Sequence, residues 1–159
     1  MKHTTAVLLA LLCLCLPALA ADAVTEITGG LTYSDFSATD VTQGSVAFDL
    51  AAGISEHFQA GPAATIAYMK QPSQTDTATG FGGLVHWNLV GRNGPFVGAK
   101  ALYWTGDAEG YTVAPIVGVK FGGEKAFARI TASRPQHYSE GERLDLQRTD
   151  VEFAFGIRF

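Results

Sequence analysis

The sequence predicts an all-β fold, an eight-stranded antiparallel transmembrane β-barrel preceded by a cleavable signal peptide. Three observations carry this. The last nine residues, Val151 to Phe159, alternate between apolar and polar without error. Seven earlier segments alternate in the same manner, joined mostly by short and long connections in turn. The charged residues inside these segments fall on one parity. The side-chain period of a strand is two, so each segment is a ribbon with one oily and one polar face.

The N-terminal element comes first. Met1-Lys2-His3 is a short positive start, Ala6 to Leu16 an apolar core and Ala18-Leu19-Ala20 a small-x-small cleavage site. Residues 1–20 therefore read as a secretory signal peptide and residues 21–159 as the barrel domain. The apolar run is shorter than the roughly 20 residues a spanning helix needs. Cys13 and Cys15 raise a lipoprotein leader as an alternative, but both lie inside the oily core with no mature-looking start after them. Both cysteines leave with the leader, so no disulfide, thiolate metal site or cysteine nucleophile is expected. Losing Lys2 and no acid takes 11 basic against 15 acidic residues to 10 against 15, a net charge of −5. That mild acidity argues against nucleic acid as a partner. No later apolar stretch approaches the length of a spanning helix, so any membrane crossing must be made by strands closed into a barrel.

The strands are expected at 24–34, 44–54, 58–69, 80–90, 96–105, 111–121, 126–134 and 148–159. Each is near the 9–11 residues, approximately, of a tilted bilayer-crossing strand. The first is interrupted by Gly29-Gly30, which weakens its pattern. In the second, Val46, Phe48, Leu50, Ala52 and Ile54 oppose Ser45, Ala47, Asp49, Ala51 and Gly53. In the fifth, Val97, Ala99, Ala101 and Tyr103 oppose Gly98, Lys100 and Leu102. In the sixth, Val113, Pro115, Val117, Val119 and Phe121 oppose Thr112, Ala114, Gly118 and Lys120. The seventh sets Ala128, Ile130 and Ala132 against Arg129, Thr131 and Ser133. The last sets Val151, Phe153, Phe155, Ile157 and Phe159 against Glu152, Ala154, Gly156 and Arg158.

Residues 55–57, 91–95 and 122–125 make short connections, and the last two are rich in turn residues. Residues 35–43, 70–79 and 135–147 make longer polar ones, with 105–110 a short exception among them. An even strand count puts both ends of the barrel on the short-turn, periplasmic side. Tyr33, Tyr68, Tyr103, Tyr111, Tyr138 and Trp104 fall near the long loops. Phe58, Trp87, Phe96, Phe121, Phe127 and Phe159 fall near the short turns. Two aromatic belts are what the two interfaces of a bilayer select.

The parity of the last strand assigns Glu26, Asp49, His86, Lys100, Lys120, Arg129, Glu152 and Arg158 to the barrel interior. A Lys or Arg on the lipid face at mid-bilayer costs about 2–4 kcal/mol, and the lipid face receives no charge across the strand centres. A soluble eight-stranded barrel is built the other way round. An interior of this size is just wide enough for side chains to fill it. Three carboxylates and four cations there are expected to pair into a network that plugs the barrel.

Gly94-Pro95-Phe96-Val97-Gly98-Ala99-Lys100 to Tyr103, Ile116-Val117-Gly118-Val119-Lys120-Phe121, Glu124 to Arg129 and the terminal Phe155-Gly156-Ile157-Arg158-Phe159 resemble the small outer-membrane β-barrels of Gram-negative bacteria, the OmpA-like and opacity-type porin family. The likeness covers residues 80–159 well and the first half in pattern only. It implies eight strands and an outer-membrane location among lipid and lipopolysaccharide. It also implies that Phe153, Phe155, Ile157 and Phe159 form the signal read by the barrel-assembly machinery. It implies no single activity, because such folds carry many.

One segment could carry chemistry. His137 and Ser139 stand at i and i+2 on one strand face, and Glu140, Glu142 or Glu152 could orient the histidine as in a hydrolase. The pair resembles the His-x-Ser of the lipid A 3-O-deacylases, also eight-stranded outer-membrane barrels. Glu140 stands where that family usually has asparagine, and Pro135 disturbs the strand upstream. The structural alternative is a polar outer loop. His57 is expected in a turn, no His or Cys pair has metal-ligand spacing, and no glycine loop is built to cradle phosphate. Neither metal nor cofactor is therefore expected. Asp35, Asp40, Asp76, Asp107 and Glu109 are loop acids that could bind divalent cations or bridge to lipopolysaccharide, or simply be solvated. The expected function is that of an integral outer-membrane protein with a structural or surface-interaction role and no enzymatic activity. The alternatives are a narrow channel or carrier of small hydrophobic molecules, and a lipid A deacylase. Oligomeric state is left open.

Overall fold

The computed structural model describes residues 24–36, 42–55, 57–70, 75–106, 109–139, 142–144 and 148–159. Residues 1–20, read above as a signal peptide, lie outside these. Ten strands follow in chain order: β1 Thr25–Phe36, β2 Thr42–Gly53, β3 Phe58–Lys70, β4 Thr75–Asn88, β5 Gly94–Gly106, β6 Gly110–Gly122, β7 Ala126–Ser133, β8 Gln136–Ser139, β9 Glu142–Leu144 and β10 Arg148–Arg158.

All pairings are antiparallel. Neighbours in sequence pair from β1 to β7, β7 pairs with β10, and β10 pairs with β1. The ring closes on eight walls. The interrupted first strand is continuous in space. Gly30 faces Ala154 across the seam, and a Cβ there would lie 2.7 Å from the Ala154 Cβ. The glycine that weakened the sequence pattern is what lets β1 and β10 approach. Gly61 does the same between β2 and β3, where a Cβ would stand 1.8 Å from the Leu50 carbonyl oxygen.

The structure lengthens several strands and reshapes one loop. β4 begins at Thr75, so the 70–79 loop shrinks to residues 71–74. The expected loop 135–147 holds β8 and β9. β8 pairs with β6 in the same register as β7, with Ser133 opposite Ile116 and Gln136 opposite Val113. The seventh wall is thus one strand interrupted at Arg134-Pro135, where proline supplies no N–H to the ladder. β9 pairs with β8 and raises this side of the rim.

The two faces sort as the parity expects. Leu31, Phe48, Ile66, Phe81, Val117, Phe153 and Phe155 are exposed on the outside, and no charged side chain among the described residues is exposed at a strand centre. A belt of exposed rings at the long-loop end includes Tyr33, Tyr68, Tyr103 and Tyr111. Tyr111 stacks on half-buried Tyr138 with ring centroids 4.8 Å apart. Three belt assignments are corrected. Trp104, Phe96 and Phe127 are buried and point inward. Phe96 and Phe127 share parity with Lys100 and Arg129 on their own strands, so period-two geometry overrides their position near a strand end.

Candidate functional site

The interior is layered, and the strand pleat sets each layer. At the short-turn end, Lys120 of β6 is fully buried and its ammonium donates to Glu26 of β1 at 2.7 Å and to the Gln59 amide oxygen of β3. Arg158 of β10 donates from Nε to the other Glu26 oxygen at 2.8 Å. Its Nη atoms donate to the Gly123 carbonyl at 2.8 Å, the Arg92 carbonyl at 3.2 Å and Asn93 Oδ1 at 3.0 Å. One side chain therefore joins the β10–β1 seam to the turn between β4 and β5 on the opposite wall. That turn closes tightly because Gly91 and Gly94 take positive φ, 57° and 106°. Phe96 and Phe127 fill the space between. The Lys120 ammonium lies 5.4 and 5.7 Å from their ring centres, and the Arg158 guanidinium 4.4 Å from Phe127, distances that favour a cation on an aromatic face.

The middle layer is a four-membered ion cluster. Arg129 Nη2 donates to Asp49 at 2.6 Å and to Glu152, while Lys100 stands 2.9 Å from Asp49 and 3.7 Å from Glu152. Four walls, β2, β5, β7 and β10, are tied at one height. His86 lies between the two layers. It makes no ion pair there; its ring packs against Phe96 at 4.7 Å and its Nδ1 has no partner among the described residues.

Above the ion cluster is a chamber of about 60 Å³, bounded by Lys100, Glu152, Leu102, Trp104, Ile116 and, at the rim, the Arg148–Asp150 pair. Arg148 grips Asp150 with two bonds of 2.6 Å. The chamber has room for only a few water molecules.

His137 sits on the outer rim. The Trp104 indole donates to the Thr112 hydroxyl at 2.8 Å, and that oxygen lies 3.0 Å from His137 Nδ1. The ring also bonds to the Glu109 backbone. Burial, with the Arg148 charge second, holds the imidazole below its ordinary pKa. Ser139 is half-buried two residues on. Glu152, one of the carboxylates that could orient the histidine, is engaged by Arg129 and Lys100 in the middle layer. Glu140 and the Glu142 side chain lie outside the described residues. His57 stacks on Trp87, and its Nδ1 lies 2.9 Å from the Asn88 carbonyl.

Phe153, Phe155, Ile157 and Phe159 project outward from the seam strand and are exposed. Among the loop acids, Asp35 and Glu109 are exposed, Glu109 accepting from the Tyr103 hydroxyl at 3.4 Å. Asp40 and Asp107 lie outside the described residues. No three His, Cys, Asp or Glu side chains among the described residues are grouped to hold a metal.

Sequence reasoning missed Gln59 and Asn88, both buried inside, and the Arg148–Asp150 pair at the rim. Parity alone would have found Asp150, two residues before Glu152. Gln59 and Asn88 are uncharged and sit at strand ends, where alternation is hardest to anchor.

No protein-family model and no curated protein matches the chain. Solved structures do. The N-terminal β-barrel domain of Pseudomonas aeruginosa OprF superposes with a TM-score of 0.55 at 13% identity, covering 86% of this chain and 97% of that one. Neisserial surface protein A gives 0.58 at 11% identity, covering 86% and 95%. A structure from de novo design of transmembrane β-barrels gives 0.50 at 13% identity over 86% and 95%. The fold is that of the small eight-stranded outer-membrane barrels.

Proposed function

We propose that the chain is an integral protein of the bacterial outer membrane whose barrel is a plugged scaffold and whose loop-side surface performs a structural or surface-interaction role. The observation that carries this is the sorting of the two faces: large apolar side chains outside, ion-paired side chains inside. Only a hydrocarbon surround makes that arrangement favourable. The two-layer ion network and the aromatic floor at Phe96 and Phe127 support a closed lumen. Partners on this reading are lipid, lipopolysaccharide and, during insertion, the barrel-assembly machinery reading Phe153, Phe155, Ile157 and Phe159.

The test has two arms. The processed protein should fractionate with outer membranes and stay there through salt and carbonate washes. Refolded into planar bilayers, it should show no stable conductance of porin size. Recovery as an aqueous monomer without detergent would end the membrane reading. A stable open channel whose conductance changes in Lys100→Ala would replace the plugged scaffold with the narrow channel.

On the same reading the protein is not an enzyme. The bonds of His137 to Thr112 and the Glu109 backbone, and of Glu152 to Arg129, support this. Lipid A mass spectra from wild-type, Ser139→Ala and deletion strains should be identical. Loss of 3-O-deacylated lipid A in the last two would restore the hydrolase.

A further inference from the structure

We propose that the short-turn end of the lumen binds one small monovalent anion of chloride size, held by the Lys120 ammonium and the side-chain N–H groups of His86 and Asn88. The inference concerns the barrel interior and does not depend on what the loop surface does.

Charge is the first argument. In the middle layer two carboxylates, Asp49 and Glu152, face two cations, Lys100 and Arg129, and the layer is neutral. The rim pair Arg148–Asp150 is also neutral. Asp76 stands beyond the last β4–β5 pair, Ala78 opposite Gly106, and is too high to contribute. At the base, Lys120 and Arg158 share the single carboxylate of Glu26. The remaining acceptors of Arg158 are neutral carbonyl and amide oxygens, and the second acceptor of Lys120 is the neutral Gln59 amide. Among the described buried side chains, the base therefore carries one positive charge beyond its acid. An uncompensated charge out of water is costly.

Hydrogen-bond donors are the second argument. His86 and Asn88 are i and i+2 on the inward face of β4, 1% and 2% exposed. His86 Nδ1 and both side-chain atoms of Asn88 have no partner among the described residues. Buried polar groups without partners are rare in native structures and call for one. Lys120 and His86 both pack on Phe96, at 5.4 and 4.7 Å from its ring centre, and Asn88 is the β-ladder partner of Phe96. Lys120 and His86 thus flank one aromatic ring, and Asn88 stands beside it on the ladder. With the proton on Nδ1, His86 donates to the anion, as do the Asn88 amide and the third ammonium proton of Lys120. Asn88 Oδ1 is left for a water.

The test uses the processed barrel refolded in detergent, with sodium bromide as the probe. Crystals grown in bromide should show an anomalous peak within hydrogen-bonding reach of Lys120 Nζ, His86 and Asn88. At constant ionic strength, the melting temperature should rise with bromide or chloride in place of gluconate, and the rise should saturate. Asn88→Leu keeps the Lys120–Glu26 pair and should weaken bromide binding roughly tenfold, the worth of one bond to a charged group. Val46→Ala, on the outer face, should leave the peak in place. The proposal is overturned by density refining as water only, by bromide confined to surface lysines, or by melting temperatures indifferent to the anion. It is also overturned if Asn88→Leu binds bromide as wild type does.

Discussion

Replacing Arg129 by methionine should destabilise the refolded barrel by about 3–5 kcal/mol, the cost of removing one partner from a buried ion cluster. Among the described residues, Arg129 alone bridges Asp49 and Glu152 through hydrogen bonds of its own, with Lys100 left 3.7 Å from Glu152 once it is gone. Two carboxylates would then share one ammonium inside a shell of lipid. Equilibrium urea unfolding from lipid vesicles reads the change. The triple variant Arg129→Met, Asp49→Leu, Glu152→Leu should recover much of the loss, because an apolar replacement of the whole cluster leaves no orphaned charge. If Arg129→Met alone unfolds within about 1 kcal/mol of wild type, as an exposed pair would, the cluster is not buried from water.

The second large effect lies on the other face. Val117 is exposed near the middle of β6. Val117→Arg should cost about 2–4 kcal/mol in vesicles, the depth-dependent penalty for a cation at the bilayer midplane. The same substitution at Thr105, exposed near the long-loop end of β5, should cost no more than about 1 kcal/mol. A depth-independent result would mean that the outside of the barrel faces something other than hydrocarbon.

Much of this was legible in the residue order. Alternation in β2, β5, β6, β7 and β10 puts Asp49, Lys100, Lys120, Arg129, Glu152 and Arg158 on one face, and in the structure Lys100 is half-buried and the others are buried. Two things were not legible, for physical reasons. The aromatic belts were read by height along the chain, but height says nothing about face. Phe96, Trp104 and Phe127 sit at belt height and point inward, where a bulky ring fills space that small residues such as Gly118 and Gly156 leave open. The outer hairpin of β8 and β9 was hidden because Pro135 looks like a strand terminator. It interrupts the ladder without shifting its register, and register depends on pairing across the sheet rather than on sequence. The bonds of His137 were equally out of reach. Thr112 and Trp104 lie 25 and 33 positions upstream, and the pairing of β6 with β8 and with β5 brings them together.

Arg158 has a consequence for how the molecule is put together. Its guanidinium can engage the β4–β5 turn only after β10 has docked against β1, and those two places are half a circumference apart. A half-zipped sheet lacks this crosspiece entirely. The underside is thus braced across its diameter only when the circle is complete.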